Sequence, residues 1–245
     1  MNLQLFIPCY IDQVYPQVGM STVCLLESLD CTVHYPEAQT CCGQPLLNAG
    51  HTCELKGVAS NFINVFSGTD PIVCPSASCV SMVRNHYAHV GIDTFTLPPI
   101  FELCEFLTKE LKADSFPASF SPKVGVHYGC HGVRELGLAE ASELRNKNAR
   151  PDTVRGLLEA MHAITIVERE RTDECCGFGG MFCVSESDVS GSMGQTLLDD
   201  FIQAGAEVIV SADMSCLMHL DGMIKQQQLP LRVAHIAEVL AGDAS

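Results

Sequence analysis

The sequence predicts an α/β protein with two similar tandem α/β domains, mainly parallel sheets and an internal duplication. Short apolar strands alternate with longer segments of helical period, as expected for consecutive strand–helix units. The same landmarks also occur twice, in the same order, along the 245 residues. A Ser- and Pro-rich segment at 114–122 separates the two copies and breaks the helix before it. We therefore expect a first cysteine-rich domain at 1–116 and a second at 117–245.

Each copy starts with an apolar, strand-like run that ends at a cysteine, and a cysteine pair followed by glycine comes next. A second strand-like run leads to another cysteine, and a closing amphipathic helix is expected to begin in the last matched segment. In chain order, the matched segments are 3–9 with 123–130, 41–43 with 175–177, 68–79 with 205–216, and 100–103 with 236–239. Helix-period stretches lie between these landmarks, at 18–29, 53–66, 153–161 and 195–204.

The repeated cysteines offer four thiols in each half, from three separate segments. Loops outside the carboxyl ends of parallel strands converge on one edge of a sheet, so these thiols are expected to meet there. They are Cys9, Cys41, Cys42 and Cys79 in the first half, and Cys130, Cys175, Cys176 and Cys216 in the second. Four thiolates suit an iron–sulfur cluster or tetrahedral zinc. The adjacent pairs favour iron, because each thiolate of a pair can bind a different iron of one cluster.

Two further features lie close to these thiols. Gly43 and Gly177 directly follow the pairs, where the absence of a side chain lets a backbone N–H group approach a sulfur. Cys74 has Ser211 as its counterpart, yet its position shortly before Cys79 places it near the predicted site. Cys74 is therefore either a fifth ligand or a buried thiol.

The remaining cysteines have no counterpart in the opposite half, and we interpret them as packing residues. These are Cys24, Cys31, Cys53, Cys104 and Cys183. Three histidines, His127, His131 and His235, lie beside repeated landmarks. Each is either a donor near the metal site or an ordinary surface or core histidine, which is the commoner case. No residue is assigned as catalytic from the sequence.

Charge and composition exclude several classes of protein. Lys and Arg total 14 against 29 Asp and Glu, giving a net charge of −15, which would repel a nucleic acid backbone. Fourteen cysteines without a signal segment indicate metal or redox work in a reducing compartment, so we expect a cytoplasmic protein with no direct membrane span. An insertion after Cys130 holds four basic residues, either as a solvated loop or as a docking site for an acidic partner or carboxylate. They are Arg145, Lys147, Arg150 and Arg155.

Four stretches carry a resemblance to a known family. They are the segments EAQTCCGQP at 37–45, PSASC at 75–79, ECCGFGG at 174–180 and HIAEVL at 235–240. Together with the repeated Cys-Cys-Gly, they resemble the cysteine-rich (CCG) domain family, to which heterodisulfide reductase and glycolate oxidase each contribute an iron–sulfur subunit. The closer resemblance, over 3–240, is to the LutA-type, or YkgE-type, lactate-utilization iron–sulfur proteins.

This resemblance implies an iron–sulfur electron-transfer subunit of a cytoplasmic L-lactate-oxidising complex that converts lactate to pyruvate. It implies a LutB-like iron–sulfur protein and a LutC-like subunit as partners, with the catalytic centre on a partner. In the heterodisulfide reductase relative, a CxxC pair closes each motif around a noncubane [4Fe–4S] cluster. Ser76 and Asp213 stand where the first cysteine of that pair would be.

Three alternatives for the metal follow from this departure. A simpler four-thiolate cluster forms, or Cys74 and Asp213 substitute for the missing thiolates, or one half binds zinc. A different class of function also stays open, namely a zinc-binding or thiol-redox protein without an electron-transfer cluster.

Overall fold

The first half of the protein consists of four short strands and six helices. The computed structural model describes residues 1–144 and 151–244. In chain order the elements of the first half are β1 (Asn2–Leu5), α1 (Cys9–Val14), α2 (Pro16–Ser28), β2 (Thr32–His34), α3 (Gln44–Asn48), α4 (Thr52–Val65), β3 (Ile72–Cys74), α5 (Ala77–Ser81), β4 (Ile100–Glu102) and α6 (Leu103–Lys109). A π-helical turn at Met82–His86 continues α5, and a 3₁₀ turn follows at Ala88–Val90.

The second half repeats this order. Its elements are β5 (Phe116–His127), α7 (Thr153–Glu159), β6 (Met161–Ile166), α8 (Phe182–Ser185), α9 (Ser187–Gln203), β7 (Val208–Ser211), α10 (Met214–Gln227), β8 (Arg232–His235) and α11 (Ile236–Ala241). A π-helical turn at His131–Glu135 follows β5, and a 3₁₀ turn lies at Ser142–Leu144. The four stretches of helical period coincide with α2, α4, α7 and α9, so their predicted helices are confirmed.

Each half contains a four-stranded sheet in which all neighbouring strands are parallel. The strand orders are β2-β1-β3-β4 and β6-β5-β7-β8, which are the same order in the two halves. The predicted α/β architecture with an internal duplication is therefore confirmed. Among the described residues, no helix is both long and apolar enough to cross a membrane.

The two halves pack through a shared apolar core, and the closing helix of each half also packs against a helix of the other half. Helix α6 of the first half packs against α7 of the second, and α11 of the second packs against α2 of the first. One core cluster accordingly contains residues of both halves, such as Leu26 and Val239, which are almost fully buried. This reciprocal packing resembles an isologous dimer interface within one chain. It brings the carboxyl-terminal ends of both sheets close together, where Ser76 and Asp213 form an antiparallel bridge.

Two expectations about the chain path differ from the structure. Most of the predicted linker at 114–122 belongs to β5, which starts at Phe116, so the chain enters the second sheet without a free linker. The domain boundary at 116/117 stays a prediction. The match of 100–103 with 236–239 is wrong by three residues, because residues 100–102 form β4 whereas Ile236 starts α11. A four-residue apolar window fits a buried strand and a helix start equally well.

The strand register gives the correct equivalence of the closing segments. Cys74 lies opposite Glu102, and Ser211 lies opposite His235, so Glu102 and His235 occupy equivalent strand ends. Both side chains cap the helix that follows: Glu102 accepts from the backbone N–H of Glu105, and His235 accepts from that of Ala237. A buried polar side chain thus joins the last strand of each half to the helix that follows, a carboxylate in the first half and an imidazole in the second.

A close contact between sheet and helix in the second half requires glycine. A Cβ atom at Gly125, on the central strand β5, would lie 2.5 Å from the ring of Phe201 in α9. Gly125→Ala is therefore expected to reduce the free energy of unfolding by about 1–3 kcal/mol through overpacking. Urea denaturation measures this change.

Gly191→Ala, in an open position of the same helix α9, is the matched control. Because alanine favours a helix over glycine, we expect that variant to be as stable as wild type or more stable, by up to about 1 kcal/mol. Equal stability of both variants would contradict the tight β5–α9 packing.

Candidate metal centres

The first-half cysteines meet at the edge of the sheet, where strands give way to helices. Cys9 starts α1 directly after β1, and Cys79 lies in α5 after β3. Cys41 and Cys42 lie in the loop before α3. The Sγ atoms of Cys9 and Cys41 are 3.7 Å apart, and those of Cys42 and Cys79 are 3.4 Å apart. The structure therefore brings all four predicted thiols of this half together.

Gly43 shapes the loop that carries the first cysteine pair. Its φ angle is +87°, a left-handed conformation that glycine adopts without strain. A Cβ atom there would also lie 2.4 Å from a methyl group of Leu55. In this conformation the backbone N–H of Gly43 donates to the Sγ of Cys41 at 3.3 Å, as the sequence suggested. Tyr87 fixes the other side of the pair, because its hydroxyl donates to the carbonyl of Cys42 at 3.0 Å.

The crowded thiols of the first half differ in acidity because they share protons. Hydrogen bonds from Cys42 and then Cys9 lower the pKa of Cys41 to about 3. Hydrogen bonds from Cys42 and then Cys74 lower the pKa of Cys79 to about 5. The pKa values of Cys9 and Cys42 are raised, chiefly by the hydrogen bond each makes to Cys41. Thiols with a lowered pKa thus alternate with thiols whose pKa is raised, and a bound cation would favour the deprotonated form of all four.

Cys74 belongs to this cluster. Its side chain is completely buried at the end of β3. Its thiol donates to the carbonyl of Ser76 at 3.8 Å. Burial and then an interaction with Cys79 raise its pKa well above the ordinary value. The first half therefore has a fifth thiol close to Cys79.

The second half builds the same arrangement with the second cysteine pair. The backbone N–H of Gly177 donates to the Sγ of Cys175 at 3.5 Å. Hydrogen bonds from Cys130 and then Cys176 lower the pKa of Cys175 to about 2. The Sγ atoms of Cys176 and Cys216 lie within 4.8 Å of each other, and this contact helps to raise the pKa of Cys176. All four predicted thiols of this half are therefore in one connected cluster.

Gly177 is required here for the same reasons as its counterpart. Its φ angle is +85°, and a Cβ atom would lie 2.7 Å from the carbonyl oxygen of Ser190. The hydroxyl of Ser190 donates to the carbonyl of Gly177 at 2.8 Å and ties the loop to α9. The repeated Cys-Cys-Gly is thus a backbone requirement as well as a source of thiols.

A histidine joins the second cluster. The ligand atoms of His127, Cys176 and Cys216 all lie within 4.8 Å of one another, and no other such triple of His, Cys, Asp or Glu occurs at 1–144 or 151–244. The pKa of Cys216 is lowered to about 7, first by its hydrogen bond with Cys176, against the effect of burial, and then by the nearby imidazole.

His127 itself is an unsatisfied buried group. It is 1% exposed, and neither ring nitrogen makes a hydrogen bond of good geometry within the described part of the chain, although the imidazole is near enough to the Cys216 thiol to lower its pKa. Leaving a buried polar atom unpaired costs about 1–3 kcal/mol. The sequence alone ranks His127 below the cysteines. Its signal there is a polar residue within the apolar run of β5, at the position that Phe6 occupies in the first half.

The other two histidines have different environments. The Nε2 of His131 is 2.9 Å from the side-chain nitrogen of Gln44, in the opposite half, and its Nδ1 is 3.7 Å from the Sγ of Cys130. His235 is fully buried and caps α11 through its Nδ1, 3.2 Å from the backbone N–H of Ala237. His235 is therefore a structural cap.

Ser76 and Asp213, which replace the first cysteine of each CxxC pair, cap the helices that carry the last cysteines. Ser76 Oγ accepts from the backbone N–H of Cys79 at 3.3 Å. Asp213 accepts from the backbone N–H and hydroxyl of Ser215, at 3.2 and 2.6 Å. The second carboxylate oxygen of Asp213 accepts from the N–H of Ser78 across the interface at 2.9 Å. Both carboxylate oxygens are thus engaged in holding the two helix starts together.

The cysteines interpreted as packing residues fall into two groups. Cys31 and Cys104 are buried, as expected, and Cys183 is half-buried with its thiol donating to the carbonyl of Gly180 at 3.0 Å. Cys24 and Cys53 are exposed, so their interpretation as packing residues is wrong. Both lie on the solvent side of their helices. The sequence does not indicate this, because a single cysteine within a helical pattern does not show whether it faces the core or the solvent.

The basic insertion is only partly described. Arg145, Lys147 and Arg150 lie outside the described residues. Arg155 lies in α7 and pairs with Glu159 and Glu168, at 2.7 and 2.6 Å. This guanidinium is therefore already neutralised within the chain.

Both clusters open onto one cleft between the halves. Cys9, Cys42 and Cys79 line it from the first half, and Cys130 and Cys216 line it from the second. The donor set of this cleft fits iron or zinc. It consists of soft thiolates, a buried imidazole that makes no well-formed hydrogen bond among the described residues, and backbone N–H groups that donate to sulfur. Tandem parallel sheets that each carry such a cluster define a two-domain cysteine-rich protein of the metal-binding class.

Comparisons with known proteins agree with this class. The cysteine-rich domain (CCG) family matches residues 3–84 and 124–221, one match in each half. Lactate utilization protein A of Exiguobacterium sp. is 39% identical, over 98% of this chain and 96% of that protein. Those of Anoxybacillus flavithermus and Geobacillus kaustophilus are each 36% identical over 98% of this chain, and over 99% and 98% of their own lengths. The chain therefore belongs to the cysteine-rich (CCG) domain family and, within it, to the lactate utilization protein A family.

The buried cap His235 predicts a pH dependence of stability. Burial lowers its pKa to about 4 from the ordinary 6.5, so the unfolded chain binds a proton that the folded chain does not. Its contribution to stability is complete above pH 6.5 and is lost as the pH falls from 6.5 to 4. The loss over this window is about 3 kcal/mol.

His235→Asn keeps an acceptor for the N–H of Ala237 but removes the titration. Urea denaturation from about pH 4 to about pH 7.5, which brackets this window, should show a shallower decline for this variant than for wild type. Identical pH profiles would show that His235 does not titrate in this way.

Proposed function

We propose that the protein is the iron–sulfur electron-transfer subunit of a cytoplasmic L-lactate-oxidising complex, which converts lactate to pyruvate. The observation that carries the proposal is the presence of two connected thiol clusters on one cleft, in a chain whose relatives are lactate utilization proteins. Two redox centres in one subunit suit the relay of the two electrons that leave each lactate.

The ligands we propose are the eight repeated cysteines. They are Cys9, Cys41, Cys42 and Cys79 for one cluster, and Cys130, Cys175, Cys176 and Cys216 for the other. When bound, iron–sulfur clusters supply one-electron carriers held by thiolates. The N–H groups of Gly43 and Gly177 lie beside sulfurs and would stabilise the reduced, more negative state, which tunes the potential.

The preference for iron over zinc rests on the adjacent pairs in the sequence, because each thiolate of a pair can bind a different iron of one cluster. The Sγ separations of 3.7 Å for Cys9–Cys41 and 3.4 Å for Cys42–Cys79 are compatible with either metal, since the edge of a tetrahedral zinc site with Zn–S bonds of about 2.3 Å is about 3.8 Å. The cluster form, four-thiolate or noncubane, depends on whether Cys74 also ligates.

The lactate chemistry is assigned to a partner. Oxidation of lactate to pyruvate releases two electrons and two protons, and the chain carries no nicotinamide or flavin fingerprint to receive a hydride. The proposed partners are a LutB-like iron–sulfur protein and a LutC-like subunit. The role of this chain is then to hold the clusters, tune their potentials and pass electrons on.

A zinc-binding or thiol-redox function is the second candidate, and one observation favours it. Cys41 combines a strongly lowered pKa with a half-buried position on the cleft side, which is typical of a reactive thiolate. Zinc is spectroscopically silent whereas iron–sulfur clusters absorb visible light, so the two candidates are separated by colour.

Replacing one cysteine of a pair is expected to remove metal from that half alone. Cys42→Ser and Cys176→Ser should each lower iron and acid-labile sulfide by the content of one cluster, because a hard hydroxyl is a poor substitute for a thiolate. Metal and sulfide analysis with visible spectra, on protein purified without oxygen, measures this loss.

Cys24→Ser is the matched control, because Cys24 is exposed on α2 and has no counterpart in the second half. It should keep the wild-type metal content. Equal loss in all three variants would overturn the assignment of the ligands, and zinc alone in the wild type would overturn the iron–sulfur assignment.

The electron-transfer role is tested by asking what reduces the clusters. L-lactate should leave the visible spectrum of the isolated chain unchanged, and should bleach it when both proposed partners are present. Glycolate serves as the matched substrate control. Bleaching by lactate without any partner would place the catalytic centre on this chain, and no bleaching in the full complex would contradict the proposal.

A further inference from the structure

We propose that His127 is a ligand of the metal centre in the second half, at the place that the Cys74 thiol takes in the first half. The inference rests on the proposed function in one respect, namely that the clusters hold metal. It makes the two centres chemically different, one with thiolates alone and one with thiolates and an imidazole.

Equivalent positions on the two sheets carry different side chains. Phe6 lies three residues before Cys9, as His127 lies three before Cys130. Cys74 lies five residues before Cys79, and its counterpart Ser211 lies five before Cys216. Each sheet edge therefore presents a pair of adjacent positions, one at the end of its first strand and one at the end of its third.

One position of each pair carries a metal-binding side chain, and it is not the same position. In the first half, the thiol of Cys74 lies close to Cys79, and Phe6 fills the neighbouring position. In the second half, His127 provides the donor, and Ser211 faces it in the strand register of β5 and β7. In the second half, β7 therefore carries Ser211 in place of a thiol, and the adjacent strand β5 provides the imidazole of His127 to the second cluster.

The rings of Phe6 and His127 have different surroundings, as expected if only His127 is near a metal. Phe6 is packed edge-on against Phe62 and Phe66, with ring centroids 4.9 and 5.5 Å away, and is an ordinary core residue. The ring of His127 is as deeply buried, but its ligand atom lies within 4.8 Å of the sulfurs of Cys176 and Cys216.

Packing alone does not account for His127. A core histidine normally has at least one well-formed hydrogen bond at its ring nitrogens, whereas within the described residues His127 has none, and the polar groups beside its ring are the thiols of Cys176 and Cys216. A metal ion bound between the imidazole and the two sulfurs would satisfy one nitrogen and the thiolates together. A purely apolar side chain, like that of the equivalent Phe6, would leave no polar atoms unpaired at this position.

The difference in ligands predicts a difference in redox potential. A neutral imidazole adds no negative charge to a centre, whereas a thiolate adds one, and histidine ligation raises the potential of iron–sulfur centres. The second centre should therefore be reduced at a more positive potential than the first. If the second half takes zinc instead, His127 completes a mixed nitrogen and sulfur donor set for that ion.

The test uses full-length protein with His127→Phe, His127→Cys and the control His162→Phe, which changes an exposed histidine on β6. Metal content, potentiometric titration and pulsed electron paramagnetic resonance of the reduced protein are measured. We expect nitrogen coupling to one reduced centre of the wild type. We also expect loss of the metal of one centre in His127→Phe, and one midpoint shifted to more negative potential in His127→Cys.

For a second half that holds zinc, Co²⁺ substitution replaces the resonance measurement, and His127→Phe should change the visible bands of the bound Co²⁺. Wild-type metal content and unchanged midpoints in both His127 variants, with no nitrogen coupling, would overturn the assignment while leaving the iron–sulfur function intact. Wild-type protein with zinc but no iron would overturn the proposed function, and unchanged Co²⁺ bands in His127→Phe would then overturn the ligand assignment too. Protein that takes up no metal would overturn both.

Discussion

Thiols that crowd together at the edge of a parallel sheet are the constraint on which the rest of this structure depends. In each half, four cysteines from three segments lie close together, and thiols with a lowered pKa alternate with thiols whose pKa is raised. Three features hold these sulfurs close together. They are the glycines in the left-handed conformation after each pair, the side chains that cap the helices of the last cysteines, and the short strands. A metal centre would relieve the charge that such an arrangement concentrates.

The duplication places the two clusters in a common setting. Because each half covers the other with its closing helix, the carboxyl-terminal ends of the two sheets meet, and Ser76 pairs with Asp213 between them. Both clusters then face one cleft. The symmetry is not complete, since Cys74 and His127 lie on different strands and Glu102 and His235 cap equivalent helices. A duplicated fold can thus keep its backbone frame while each centre acquires its own ligands and acidity.

Much of this organisation is predictable from the sequence because it depends on local pattern. The helices α2, α4, α7 and α9 have clear helical periods, and the cysteine landmarks identify both sheet edges. Other features depend on tertiary contacts that local sequence patterns do not reveal. The strand β4 lies where a helix start is expected, β5 extends into a Ser- and Pro-rich segment expected to be a linker, and Cys24 and Cys53 point outward. The sequence names His127 as one of three candidate histidines but does not single it out, because its position depends on two sulfurs that lie 49 and 89 residues further along the chain.

The central claim is that both thiol clusters hold iron–sulfur centres. An anomalous difference map at the iron absorption edge, from crystals grown without oxygen, tests it most directly. The account predicts iron peaks at both clusters, one beside Cys9, Cys41, Cys42 and Cys79 and one beside Cys130, Cys175, Cys176 and Cys216. Zinc peaks alone, or clusters without metal from protein that had been reconstituted with iron and sulfide, would contradict it.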